Sequence, residues 1–105
     1  MSLTPLTRDQ AFTRLRAVEA DVFALGVQRL ALFGSVVRNE ARPDSDVDVL
    51  VEFRPGLKSF DRFLALAELL ERVLERRIEL VTTEALSPYI GPHILAEATD
   101  VLRAA

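Results

Sequence analysis

The chain has 105 residues, half of them hydrophobic, and it carries a formal net charge of -3 with no cysteine and one histidine. This length fits one compact domain and leaves no room for a second, substrate-binding domain. The residue counts exclude disulfides, thiolate metal sites and histidine-rich zinc sites, and the acidic balance argues against general nucleic-acid binding.

Targeting and membrane signals are also missing from the sequence. The N-terminus lacks a basic region followed by an apolar core, and no apolar run approaches the ~20 residues needed to cross a bilayer. We therefore expect a soluble, cytoplasmic protein without membrane contact. Any metal in it would be held by oxygen ligands.

The N-terminal segment, residues 1–26, predicts one helix. Thr7 and Gln10 fit a capping box, and apolar residues then recur at helical spacing as far as Leu25. Gly26 suits the position just after a helix and ends it.

The remaining segment, residues 29–103, predicts the core of a single domain spanning residues 1–105. Its predicted elements are a strand at 29–33, a helical turn at 35–40, a strand at 46–53, a helix at 59–76, a strand at 77–82 and an amphipathic helix at 90–102. The connection between the first two strands is too short for a crossover helix, so we expect them to be antiparallel. The predicted fold class is α/β (α+β), with a small mixed sheet packed against helices.

A possible phosphate site follows the first strand. Its apolar run ends at Gly34 and Ser35, where a residue without a side chain and a small hydroxyl would let a phosphate reach main-chain N–H groups. Arg38 and Arg42 lie in the following connection, where a guanidinium could reach a phosphate or stay in solvent. Gly34, Ser35 and Arg38 are the predicted nucleotide-binding residues.

Three acids interrupt strands that are otherwise apolar. Asp46 and Asp48 stand two residues apart, so strand alternation points both carboxylates to one face, and Glu79 lies in the third strand. Such charges are costly to bury unless cations compensate them, and Mg²⁺ prefers hard oxygen ligands. An isolated Asp-x-Asp also occurs on exposed edge strands. The ordered combination with the Gly-Ser corner indicates a metal-dependent nucleotide site.

The segment GSVVRNEARPDSDVDVLVEF closely resembles the signature of the polymerase-β-like nucleotidyltransferases, in particular their minimal (MNT-type) members. The later segments FDRFLALAELLERVL, RRIELVT and LSPYIGPHILAEA are similar to later elements of that family, so the resemblance covers nearly the whole chain from Leu30. It implies the nucleotidyltransferase α/β core. The chain departs from the usual pattern at Asn39, where many minimal members have glycine, and at Glu79, where aspartate is more common.

The resemblance also implies a role for each motif residue. Gly34 and Ser35 would grip the triphosphate, Asp46 and Asp48 would bridge two Mg²⁺ ions, and Glu79 would be the third catalytic and metal-binding carboxylate. In the family, that third acid can accept the proton of the incoming hydroxyl.

The implied reaction is transfer of AMP from ATP to a hydroxyl acceptor. Because the chain has no domain for a small-molecule or nucleic-acid acceptor, we expect a partner protein to supply the hydroxyl within a hetero-oligomer. In the minimal subgroup such proteins resemble antitoxins that adenylylate a tyrosine of a HEPN-domain toxin. Two alternatives stay open: a degenerate antitoxin that acts by binding alone, and a small-molecule adenylyltransferase. His93 and Tyr89 receive no role from the sequence.

Overall fold

The computed structural model describes residues 4–104, so residues 1–3 and 105, which fall within the predicted N-terminal segment and the single domain, lie outside the described residues. Four α-helices, four strands and one short 3₁₀ helix make up the described chain. In order they are α1 (Arg8–Ala17), α2 (Glu19–Ala24), β1 (Val27–Phe33), β2 (Val47–Phe53), α3 (Phe60–Leu74), β3 (Ile78–Thr82), the 3₁₀ helix (Thr83–Ala85), α4 (Gly91–Glu97) and β4 (Thr99–Arg103).

The four strands form one mixed sheet in the order β3-β2-β1-β4. β1 is antiparallel to both β2 and β4, whereas β2 and β3 are parallel. A parallel pair needs a long connection, and α3 supplies it between β2 and β3. The predicted fold class, with its mixed sheet and its first two strands antiparallel, is confirmed.

The predicted N-terminal helix is present but interrupted. Thr7 and Gln10 form the predicted capping box, in which the Thr7 side chain accepts from the Gln10 N–H and the Gln10 side chain accepts from the Thr7 N–H. The prediction of a single continuous helix is wrong, because α1 ends at Ala17 and α2 begins at Glu19, with Val18 between them. Gly26 follows with a φ of +87°, and β1 begins two residues earlier than predicted.

The hydrophobic core lies on one face of the sheet, beneath α1, α2 and α3. Alternate β2 residues, from Val47 to Phe53, point into this core, and Leu30 and Leu32 of β1 join them. α3 contributes a stripe of leucines at helical spacing, namely Leu66, Leu69, Leu70 and Leu74. By strand alternation, Asp48 therefore points away from this core, toward the opposite face of the sheet.

The prediction of a C-terminal helix over residues 90–102 is wrong beyond Glu97, where α4 ends. Ala98 takes an extended conformation, with φ -59° and ψ 130°, and β4 then pairs with the free edge of β1. Val101 and Leu102 are buried in the core, as their apolar character predicts, but they reach it from a strand. The change of direction places Glu97 at the end of the sheet where β1 also ends.

Among residues 4–104, no helix combines the length and apolar character that crossing a membrane requires.

Candidate active site

The end of β1 forms a tight corner. Gly34 adopts a φ of +80°, a conformation that favours glycine. Hydrogen-bonded turns then close the segment: the Arg38 N–H donates to the Gly34 carbonyl at 3.4 Å, and the Glu40 N–H donates to the Ser35 carbonyl at 2.8 Å. The predicted helical turn after the Gly-Ser corner is therefore present as a compact loop.

Asn39 fits this loop. Its φ of +57° lies in the left-handed region, which asparagine tolerates better than most residues. Its side-chain oxygen also accepts a hydrogen bond from the Arg8 N–H at 2.9 Å, in the first turn of α1. Asn39 thus preserves the turn and ties it to the N-terminal helix.

Gly34 and Asp48 are in close contact across the β1–β2 pair. A Cβ atom built on Gly34 would overlap the Asp48 carboxylate oxygen Oδ2. Glycine is needed at this position for two reasons, namely its backbone conformation and the space that the carboxylate occupies. The phosphate corner and the first carboxylate of the predicted site are therefore adjacent.

This double requirement makes Gly34→Ala a testable substitution with a matched control. Gly56 has a similar φ of +79°, but a Cβ built there would meet no atom within 4 Å. We expect Gly56→Ala to lower the free energy of unfolding by about 1 kcal/mol and Gly34→Ala by about 3 kcal/mol, because only the latter adds a collision to the backbone strain. Urea denaturation measures both values.

The excess cost of Gly34→Ala should disappear when Asp48 is also replaced by alanine, since the colliding carboxylate is then gone. Equal costs for Gly34→Ala and Gly56→Ala in the wild-type background would contradict the proposed collision.

Asp48 and Glu79 are direct neighbours, because the parallel register of β2 and β3 pairs one with the other. Burial, and after it the negative charges of Glu79, Asp46 and Glu97, raise the pKa of the half-buried Asp48 carboxyl from 3.8 to about 6, against a lowering by Arg38. The carboxylates therefore repel one another within a partly desolvated site. A divalent cation would relieve that repulsion.

Asp46 directly precedes β2. Its carboxylate lies 3.4 Å from the Nε of Arg77, an ion pair that the sequence did not predict. Within residues 4–104, no three His, Asp or Glu side chains lie close enough together to hold one metal ion. The donor chemistry nevertheless fits Mg²⁺, which usually takes one or two carboxylates and completes its shell with water and phosphate oxygens. Asp46 would have to leave Arg77 to join such a site.

Glu97 lies in the phosphate corner, and sequence reasoning missed it. One of its carboxylate oxygens accepts a hydrogen bond from the Gly34 N–H, and the other accepts from the Arg38 guanidinium at 2.6 Å. The Glu97 carboxylate also holds the pKa of Arg38 above its usual value. A helix extended through residues 90–102 would have placed Glu97 on a solvent-facing surface. The β-branched Thr99 and Val101 were the available signal for a strand there.

The remaining candidates lie outside this cluster. The Arg42 N–H donates to the Ser45 hydroxyl at 2.8 Å within the connection. His93 is exposed on α4, and Tyr89 is 88% exposed just before it. A shallow depression lined by Gln28 and Arg54 occupies the opposite end of the sheet and contains none of the acids described above.

Comparison with known proteins agrees with the motif. The family described as "Nucleotidyltransferase domain" matches residues 15–101. The protein adenylyltransferase MntA of Thermococcus cleftensis is 42% identical over 76 residues, which cover 72% of this chain and 76% of that protein.

Solved structures show the same fold. A structure provisionally named as a minimal nucleotidyltransferase superposes with a TM-score of 0.69 and 36% identity, covering 84% of this chain and 93% of that one. A chain from the complex of tri-AMPylated Shewanella oneidensis HEPN toxin with MNT antitoxin superposes with a TM-score of 0.65, covering 93% of this chain and 74% of that one. At 16% identity, the second match shows likeness of fold alone. The chain therefore belongs to the nucleotidyltransferase domain family and is an enzyme of that class, as its motif predicts.

Proposed function

We propose that this nucleotidyltransferase moves AMP from ATP to a hydroxyl group of a partner protein, with Mg²⁺ as cofactor. The observation that carries the proposal is the contact between two parts of the site: the glycine corner at Gly34 lies against Asp48, and Asp48 is paired with Glu79. An anion-binding turn beside paired carboxylates suits a triphosphate that is bound together with a cation.

Each residue of the proposed site has a separate task. The Gly34 N–H, the Ser35 hydroxyl and the Arg38 guanidinium bind oxygens of the triphosphate. Asp46, Asp48 and Glu79 would hold magnesium, two ions in all, and the bound metal would supply charge stabilisation for the nucleotidyl group that is transferred. The acceptor oxygen attacks the α-phosphorus in line, the bond to the β-phosphate breaks, and pyrophosphate leaves. Glu79 accepts the hydroxyl proton.

The proposed acceptor is a tyrosine of a HEPN-type toxin, which makes the chain the antitoxin of a toxin–antitoxin pair. Support comes from the 42% identity to a protein adenylyltransferase and from the shared fold with an antitoxin that is complexed with an AMPylated HEPN toxin. The phenol of a tyrosine, with a pKa of about 10, is more acidic than an alkyl alcohol. A carboxylate base therefore removes the proton of a tyrosine more readily.

The test uses the chain together with a purified HEPN-domain toxin, Mg²⁺ and ATP labelled at the α-phosphate. We expect label on the partner, none when the label is at the γ-phosphate, and none with the Asp46→Asn/Asp48→Asn double variant. Peptide mass spectrometry then identifies the modified side chain. Label from γ-phosphate would indicate phosphorylation and contradict nucleotidyl transfer.

The competing function, neutralisation by binding alone, predicts a different result. The partner would gain no label, and the wild type and the double variant would inhibit the toxin equally. That outcome would overturn the enzymatic proposal for this pair. Label on an added aminoglycoside instead of the partner would favour a small-molecule acceptor.

A further inference from the structure

Glu97 makes the contacts expected of a bound phosphate. Its two carboxylate oxygens are shared between the Gly34 N–H and the Arg38 guanidinium, which are the groups proposed to bind the triphosphate. Glu97 therefore occupies the anion-binding groups of the site.

We propose that Glu97 is a built-in competitor of the nucleotide, which occupies the phosphate corner and must leave it before ATP binds. Both ligands are anions, and both need the same N–H donor and the same guanidinium. This inference rests on the proposed function, because it takes Gly34 and Arg38 as phosphate-binding groups. It adds a regulatory residue to that site.

The geometry of α4 allows Glu97 to move. Of the seven residues of α4 only Gly91 is buried, so the helix that carries Glu97 has few apolar anchors. The Glu97 side chain is 32% exposed and the Arg38 side chain is 46% exposed, which leaves solvent on one side of their ion pair. Displacement of Glu97 therefore requires no opening of the hydrophobic core.

Competition of this kind lowers the apparent affinity for nucleotide. If the corner is free only part of the time, the apparent dissociation constant equals the intrinsic one divided by that free fraction. Removing the negative charge of Glu97 should raise the free fraction. A partly exposed, charge-assisted pair of this type suggests an effect of about three- to ten-fold.

The experiment compares Glu97→Gln with Glu40→Gln in binding of a non-hydrolysable ATP analogue with Mg²⁺ and without acceptor. Glu40 is the matched control, because it also pairs with Arg38, at 3.5 Å, but does not bond to Gly34. We expect Glu97→Gln to bind the analogue about three- to ten-fold more tightly than wild type and Glu40→Gln to bind within about two-fold of it. Unfolding midpoints check that both variants are folded.

A second measurement connects the effect to the contact. In an Arg38→Ala background, Glu97→Gln should tighten binding much less, because one of the two shared partners is gone. The backbone amide resonance of Gly34 should move in Glu97→Gln in the absence of nucleotide, because its acceptor has lost charge.

Unchanged or weaker binding by Glu97→Gln, with wild type binding the analogue normally, would overturn the competitor role and leave the proposed function intact. Failure of wild type and Glu97→Gln alike to bind the analogue, with both proteins folded, would count against the proposed function itself. Loss of transfer with unchanged affinity would instead identify Glu97 as a residue needed for the reaction, and would equally overturn the competitor role.

Discussion

Asp48→Asn should lower nucleotidyl transfer by about a hundred- to a thousand-fold and yet increase the stability of the metal-free protein at pH 8. The loss of transfer follows from the removal of a carboxylate proposed to hold magnesium. The gain in stability follows from removal of a half-buried charge that is repelled by Glu79, Asp46 and Glu97. An ordinary structural residue would not produce these opposite effects.

The pH dependence of the stability gain has a definite sign. The Asp48 pKa is about 6 in the folded protein against an ordinary value of 3.8, so folding favours the protonated form. Its contribution to stability is fully present below the unfolded-state pKa and is lost as the pH rises through 6. The advantage of Asp48→Asn should therefore be small at pH 4 and greatest above pH 7.

The size of this gain should be about 1 to 2 kcal/mol at pH 8, after allowance for solvent screening of a side chain that is only half-buried. Urea denaturation in EDTA at pH 4 and pH 8 measures it, and Glu52→Asn is a control for the loss of a β2 acid elsewhere on the same sheet face. Added Mg²⁺ should reduce the difference in the free energy of unfolding between Asp48→Asn and wild type, because the ion stabilises wild type more than the variant. A variant less stable than wild type at pH 8 in EDTA would contradict the repulsion.

Local sequence signals predicted much of the fold. The capping box at Thr7 depends on residues three positions apart, and it is present. The alternation of β2 is likewise a property of a short segment. It predicts burial correctly because the sheet packs the apolar face of β2 against the core.

The C-terminal region could not be predicted in this way, because its structure depends on a partner far along the chain. Residues 99–103 have apolar spacing compatible with a helix, but the open edge of β1 provides backbone hydrogen bonds that only a strand can use. Because the helix was predicted to continue to residue 102, Glu97 was not recognised as a site residue. Its position depends on where α4 ends. The Asp46–Arg77 ion pair was missed for a related reason, since neighbouring strand ends meet only after the sheet forms.

The pairing of Glu79 with Asp48 in the parallel β2–β3 register allows a specific prediction. Glu79→Gln should lower transfer by about a hundred-fold or more, because it removes a carboxylate proposed to hold metal and to accept the hydroxyl proton. Glu79→Asp should retain far more activity, since aspartate keeps the carboxylate and its charge. Glu52→Gln, a substitution on β2 away from the Asp48–Glu79 pair, should leave transfer within about two-fold of wild type.

Loss of a purely structural role of Glu79 could also reduce activity. A second measurement, the pKa of Asp48, therefore tests whether Glu79 lies close to Asp48. The Glu79 charge is the second-largest cause of the raised Asp48 pKa, after burial. Glu79→Gln should therefore shift the Asp48 pKa downward from about 6, as measured by NMR titration of its side-chain carboxyl in EDTA, whereas Glu52→Gln should not. Full transfer activity in Glu79→Gln, together with an unchanged Asp48 pKa, would show that Glu79 is not part of the site. Asp46 and Asp48 would then be the only carboxylates proposed to hold metal.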